Sequence, residues 1–158
     1  MIIQKIVLKK DILVKILLFT SAFIFLFSIF FRAPNGDEAI LAEQSYWLQE
    51  IGYVKSELFT GLGYGWEFIQ YHYHKLFILF GSLVIKVFGL TEINLRFSIL
   101  LFSLLLISVL YKYLNELKLE KLLIYLFFAL LVSQYHFFYF SFIFRPEIPV
   151  VSFGFISF

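Results

Sequence analysis

The chain has no cysteine, which excludes disulfides and thiolate metal sites but leaves its compartment open. Charge is scarce as well: Asp, Glu, Lys and Arg make up 15% of the 158 residues, against roughly 25% in a soluble domain. The charges that exist are clustered, leaving long stretches with almost none. A formal net charge of only +2, with no basic helix or stripe, excludes nucleic acid as a partner. Gly61-Leu62-Gly63-Tyr64-Gly65 lacks a following Lys-Ser/Thr, so it reads as a flexible loop rather than a nucleotide phosphate loop. No internal repeat is visible.

Apolar residues dominate what is there: 61% of the chain is hydrophobic and the mean hydropathy is +0.90. One soluble core cannot hide that much apolar surface, whereas runs of it between charge clusters are the signature of membrane spans. The 23 Phe and 10 Tyr residues read as lipid-facing bulk, with a carbohydrate or lipid platform as the functional alternative. Tyr46, Trp47, Tyr53, Tyr64 and Trp66 fall where an interfacial aromatic belt is expected.

Met1–Lys10 is short and basic, and the apolar run Ile12–Phe31 follows, interrupted only by Lys15. At ~1.5 Å per residue that run is just long enough to cross a hydrocarbon layer of ~30 Å. It continues into Arg32-Ala33-Pro34 without a small-residue cleavage site, so it reads as an uncleaved first span. The lysines before it predict a cytoplasmic N-terminus in the inner membrane. Residues 32–75 then form an outer loop. Within it Pro34-Asn35-Gly36 is a turn, Asn35 or Asp37 caps a helix, and Gly52 ends it. Ile40, Trp47, Leu48 and Ile51 share one face at helical spacing, which predicts an amphipathic helix along the membrane surface.

Further spans are expected at 76–90, 96–114 and 122–144, with another beginning at 150. Thr91–Asn94 reads as a tight turn, and Arg145-Pro146-Glu147-Ile148-Pro149 as an interruption. The expected fold class is thus all-α, a polytopic transmembrane helical bundle with a surface helix in the first outer loop. Strict alternation of spans puts Lys112, Lys118 and Lys121 outside, where basic residues are disfavoured. Either the second span does not cross, or that loop tolerates its charge. The last apolar run stops without a polar end, which leads to the expectation that the chain is a fragment of a longer protein.

Three groups of residues could carry chemistry. Asp37 and Glu38, directly after the first span, are placed for general-base work on a hydroxyl, with Arg32 and Lys75 able to neutralise a released phosphate. Equally, the two carboxylates could serve only the first turn of the surface helix. His72 and His74, at i and i+2 of Tyr71-His72-Tyr73-His74, suit interfacial anchoring and hydrogen bonding; a zinc site there would have to borrow carboxylates such as Glu67. Arg96, Arg145 and Glu147 lie at or within spans, where ionisable groups are costly and therefore functional candidates. Against this, Arg96 could mark a span end and Arg145–Glu147 a short polar loop.

In this order the pieces resemble the membrane-embedded glycosyltransferases of the GT-C superfamily. The likeness is to the branch holding protein O-mannosyltransferases, the aminoarabinose transferase of lipid A and related bacterial enzymes. Pro34-Asn35-Gly36-Asp37-Glu38-Ala39 resembles the acidic pair opening the first outer loop. His72/His74, Phe88-Gly89, Arg96 and Arg145-Pro146-Glu147 resemble later elements of that pattern. The family often has Pro-Pro after the His, where this chain has Lys75-Leu76. The likeness covers nearly all of the chain but only about the first third of such a family member.

The resemblance implies a sugar donor on polyprenyl phosphate, transferred to an acceptor hydroxyl outside the cytoplasmic membrane with inversion at the anomeric carbon. It implies Asp37 as base, Glu38 as its neighbour or acceptor-positioning partner, and Arg96 and Lys75 as donor-phosphate contacts. Some such enzymes use a divalent cation and others none, so no cofactor is certain and a cation stays open. The competing expectation is a transporter or flippase-like subunit without covalent chemistry, motivated by the interruption at Pro146 and the intramembrane charges.

Overall fold

The computed structural model describes residues 2–62, 65–70 and 74–157, with side chains from residue 10 onward, and among these only helices and turns occur. Tyr64 of the expected aromatic belt and His72 of the candidate site lie outside the described residues.

Helix α1 (Ile2–Phe27) runs into a 3₁₀ turn at Ser28–Phe30, and its segment Lys10–Phe30 is long and apolar enough to cross a membrane. Only 11% of its apolar window is buried, whereas the core helix of a soluble protein is mostly covered. Helix α2 (Gly36–Ile51) begins on a capping box: the Asn35 side chain accepts from the Asp37 amide, and Glu38 reaches back to the Asn35 amide. Gly52 ends it at φ 80°, a left-handed conformation that glycine adopts without strain.

The segment after Gly52 then folds back on α2. The carboxylate of Glu43 accepts from the amides of Glu57 (2.6 Å) and Leu58 and from the Ser56 hydroxyl. Helix α3 (Lys75–Phe88) follows. Its 14 residues correspond to ~21 Å, short of the ~30 Å that a crossing of the layer needs, so the span expected at 76–90 does not have the length of one.

Helix α4 (Glu92–Glu116) is the second helix long and apolar enough to cross. It starts earlier than the expected 96, because Thr91 caps it by accepting from the Asn94 amide, so 92–94 is helix rather than a free turn. The run expected as one span, 122–144, is divided. Helix α5 (Lys121–Ser133) stops at Gln134, whose extended backbone (ψ 129°) starts the short α6 (Tyr135–Phe140) and whose side chain accepts from the Phe137 amide at 2.7 Å. After turns at 141–146, α7 (Glu147–Ile156) begins next to Pro146. Pro149 sits in its first turn, where a missing N–H breaks no helical bond.

The covered face of α2 differs from the apolar stripe read in the sequence. Glu38, Leu41, Gln44 and Ser45 point inward, while Ile51 is exposed. The cause is α3, which approaches so closely at Gly81 that a Cβ there would meet Ser45 Oγ at 2.3 Å and Phe144 Cζ at 2.6 Å. Aromatic rings tie the remaining elements. Phe25 of α1 packs on Phe137 and Phe142, Phe77 of α3 on Phe144, and Phe102 of α4 on Phe80 and Phe153.

The direction of each helix follows from a few contacts. Arg96, in the second turn of α4, donates to the backbone carbonyls of Arg32 and Ala33, so α4 starts where α1 ends. Ser133 of α5 bonds Ser21 of α1 at 3.2 Å, and the Arg32 guanidinium reaches the end of α6, so α5 and α6 run alongside α1 in the same direction. The chain therefore leaves α1 and enters α4 at one end of the bundle. The 115–120 turn lies at the other end, with the N-terminus.

Candidate functional site

The loop after α1, the first turn of α2, the second turn of α4 and the 141–147 turns meet in one ionic cluster. At its centre is Arg96, 3% exposed, a buried charge that is costly without partners. Its Nε and Nη2 clasp the two oxygens of the equally buried Glu38 at 3.1 and 3.0 Å, a bidentate fork. Nη1 donates to the Arg32 carbonyl at 3.0 Å and Nη2 to the Ala33 carbonyl at 3.2 Å, and Glu92 forms an ion pair with the same guanidinium. Glu38 is engaged on both oxygens: Oε1 also accepts from the Phe144 amide (3.2 Å), and Oε2 faces the Asn35 amide.

Arg32 is occupied as well. It donates to the carbonyls of Tyr139 (2.8 Å) and Phe138 at the end of α6, where the helix dipole favours a cation. Its guanidinium also stacks over the Phe138 and Phe142 rings at 4.5 and 4.6 Å. Burial first, and repulsion from Arg96 second, lower its pKa to about 10, so it remains a cation at neutral pH.

Asp37 faces the other way. It lines an open cleft of about 590 Å³ together with Ile40, Leu41, His74, Arg145, Pro146, Glu147 and Val150. Across its mouth Arg145 forms ion pairs with Asp37 at 2.8 Å and Glu147 at 2.6 Å. One carboxylate oxygen of Glu147 is buried with no partner among the described residues. His74, just before α3, lines the same cleft and is exposed, without a side-chain cap bond. Lys75 opens α3, exposed and outside the lining.

The fold thus sorts the sequence-derived candidates into two sets. Glu38, Arg96 and Arg32 turn inward and hold backbone. Asp37, His74, Arg145 and Glu147 surround an accessible cleft. Sequence reading missed the Phe144 amide on Glu38 and the bond from the Asn35 amide group to the Tyr139 hydroxyl (2.7 Å), both formed across more than a hundred residues with no local signal. Among the described residues no group of three or more His, Cys, Asp or Glu could hold a metal ion.

Chemically, the cleft offers a carboxylate that accepts a proton, a guanidinium that binds an oxyanion, and an imidazole beside them. Comparison of the chain with protein-family models, curated proteins and solved structures finds no match.

Proposed function

We propose that the chain is the membrane-embedded, base-bearing part of a glycosyltransferase of the GT-C kind, using a polyprenyl-phosphate-linked sugar and an acceptor hydroxyl at the outer face of the inner membrane. The observation that carries this reading is the split between the two adjacent carboxylates: Glu38 is locked on Arg96, while Asp37 opens on a cleft beside Arg145. A base must be reachable by the hydroxyl proton and held still by groups that do not react. In this reading Asp37 takes the acceptor proton as the oxygen attacks the anomeric carbon. The bond from that carbon to the phosphate oxygen breaks with inversion, and the lipid phosphate departs carrying the electron pair. Arg145, able to swing from Asp37 to an incoming phosphate, stabilises the departing charge. Glu38 and Arg96 are positioning residues, and no step is routed through a metal.

The test is Asp37→Asn in the protein as expressed in its membrane. Sugar transfer should fall by at least a hundredfold, the low end of what a positioned base supplies, with membrane levels unchanged. Normal transfer by that variant would remove the base assignment.

The transporter reading draws on the division of one apolar run into α5 and α6, with irregular backbone at 141–146 beside the cleft. Flux of substrate through proteoliposomes without any covalent product would favour it.

A further inference from the structure

At the junction of α5 and α6 three consecutive polar side chains, Gln134, Tyr135 and His136, are exposed on the surface of the bundle. Two contacts fix their level along α1. Ser133 bonds Ser21 at 3.2 Å, and Phe137 stacks on Phe25 with ring centroids 5.8 Å apart. The three residues between therefore lie beside the stretch from Ser21 to Phe25. That stretch is ~8–14 Å before Phe30, where the apolar segment Lys10–Phe30 ends, and farther still from Lys10.

Neighbouring exposed side chains at this depth are apolar, with Phe23 and Ile24 on α1 and Leu101 and Leu104 on α4. Lipid can cover those, but it offers no hydrogen bond to an amide, a phenol or an imidazole. The chain itself supplies little to the three polar groups. The Gln134 carbonyl oxygen accepts from the Phe137 amide. Its NH2 group, the Tyr135 hydroxyl and the His136 nitrogens have no hydrogen bond among the described residues. Only the rings are engaged, Tyr135 stacked on Tyr139 and His136 on Phe140.

Polar side chains at such a depth pair across helices, so what covers this patch must present hydrogen-bonding groups at the same level. A second copy inserted in the same direction does so by symmetry. A two-fold axis along the membrane normal sets each level of the chain against itself. The patch is also self-complementary, because it holds a free amide donor and an imidazole whose unprotonated nitrogen accepts. We propose that the chain forms a two-fold dimer through the start of α6, the Gln134 amide of each copy donating to His136 of the other, with Tyr135 at the contact. The proposal takes α1 as lying across a membrane, and it does not rest on the glycosyltransferase reading.

Because the chain has no cysteine, single-cysteine crosslinking of the full chain in its membrane tests the interface without background. Tyr135→Cys, at a side chain 67% exposed, should give a disulfide-linked dimer on oxidation with copper phenanthroline. Leu101→Cys, as exposed on α4, should not. Adding Gln134→Leu and His136→Leu to Tyr135→Cys should lower the crosslinked fraction about threefold or more, the equivalent of one interhelical hydrogen bond. Helix content by circular dichroism should stay the same. Absence of a dimer through position 135, equal crosslinking through position 101, or no effect of the two leucines overturns the proposal. So does a crosslink to another protein alone, since a different partner would then cover the patch. Release of the chain from the membrane by alkaline carbonate overturns it by removing its premise, and is told apart from the other failures by that extraction itself.

Discussion

Asp37 and Glu38 are neighbours in the chain, and a helix turns them ~100° apart, so one can face a cleft while the other faces the core. Which one does so is set by Asn35. Its cap fixes where α2 begins and hence the rotation of every side chain after it. The buried pair that results has no slack. Arg96 uses its fork on Glu38 and its other donors on the carbonyls of Arg32 and Ala33, so it holds the backbone leading into Asp37 as well. Removing one partner of such a pair leaves an uncompensated buried charge, at a cost of about 3–5 kcal/mol. Arg96→Gln should accordingly lower the thermal midpoint in detergent sharply, and the double variant Arg96→Gln with Glu38→Gln should regain part of the loss. A single variant melting like the wild type would show that the clamp has no structural weight. At the same scale, the hundredfold loss expected of Asp37→Asn should come without a shift in melting, because Asp37 is exposed and its pair with Arg145 is a surface pair worth at most about 1 kcal/mol.

Between elements, α2 and α3 approach closely, and the approach depends on the missing side chain at Gly81. A Cβ there would stand 2.3 Å from Ser45 Oγ, 2.9 Å from Ser45 Cβ and 2.6 Å from the Phe144 ring. Overpacking of this kind costs about 1–3 kcal/mol. Gly81→Ala should therefore be destabilising in a thermal melt. Adding Ser45→Ala should restore only part of the stability, since Phe144 and the Ser45 Cβ position remain in the way. Full recovery would mean that the hydroxyl alone sets the spacing. The same contact explains why α2 covers Gln44 and Ser45 rather than its apolar stripe: the hole at Gly81 admits small and polar groups. Gln44 finds a buried partner in Gln70 at 2.8 Å.

At the scale of the molecule, the bonds from Arg96 to the end of α1 put the start of α4 at the same end of the bundle as the end of α1. Lys112, Lys118 and Lys121 then share an end with Lys10, the arrangement that the positive-inside rule favours if α1 and α4 both cross. The absence of cysteine makes this directly measurable with single-cysteine variants. Lys10→Cys and Lys118→Cys should react with a membrane-impermeant maleimide from one side, and Glu50→Cys from the other. Labelling of Lys118→Cys from the same side as Glu50→Cys would mean that α3, despite its length, crosses.

Composition and order were enough to determine the helical class, the long apolar helices α1 and α4, the Asn35 turn, the Gly52 stop and the break before Glu147. Each of these depends on a run, a cap or a proline that acts within a few residues. Tertiary structure decided the rest. It shortened the expected second span and divided the fourth at Gln134. It also turned Glu38, Arg96 and Arg32 inward and left Asp37 beside Arg145 at the cleft. Those outcomes rest on contacts across some sixty to a hundred and eight residues, such as Arg96 with Glu38 and Arg145 with Asp37. No local pattern encodes such contacts, because they form only once packing brings distant charges into a medium where each must find a partner.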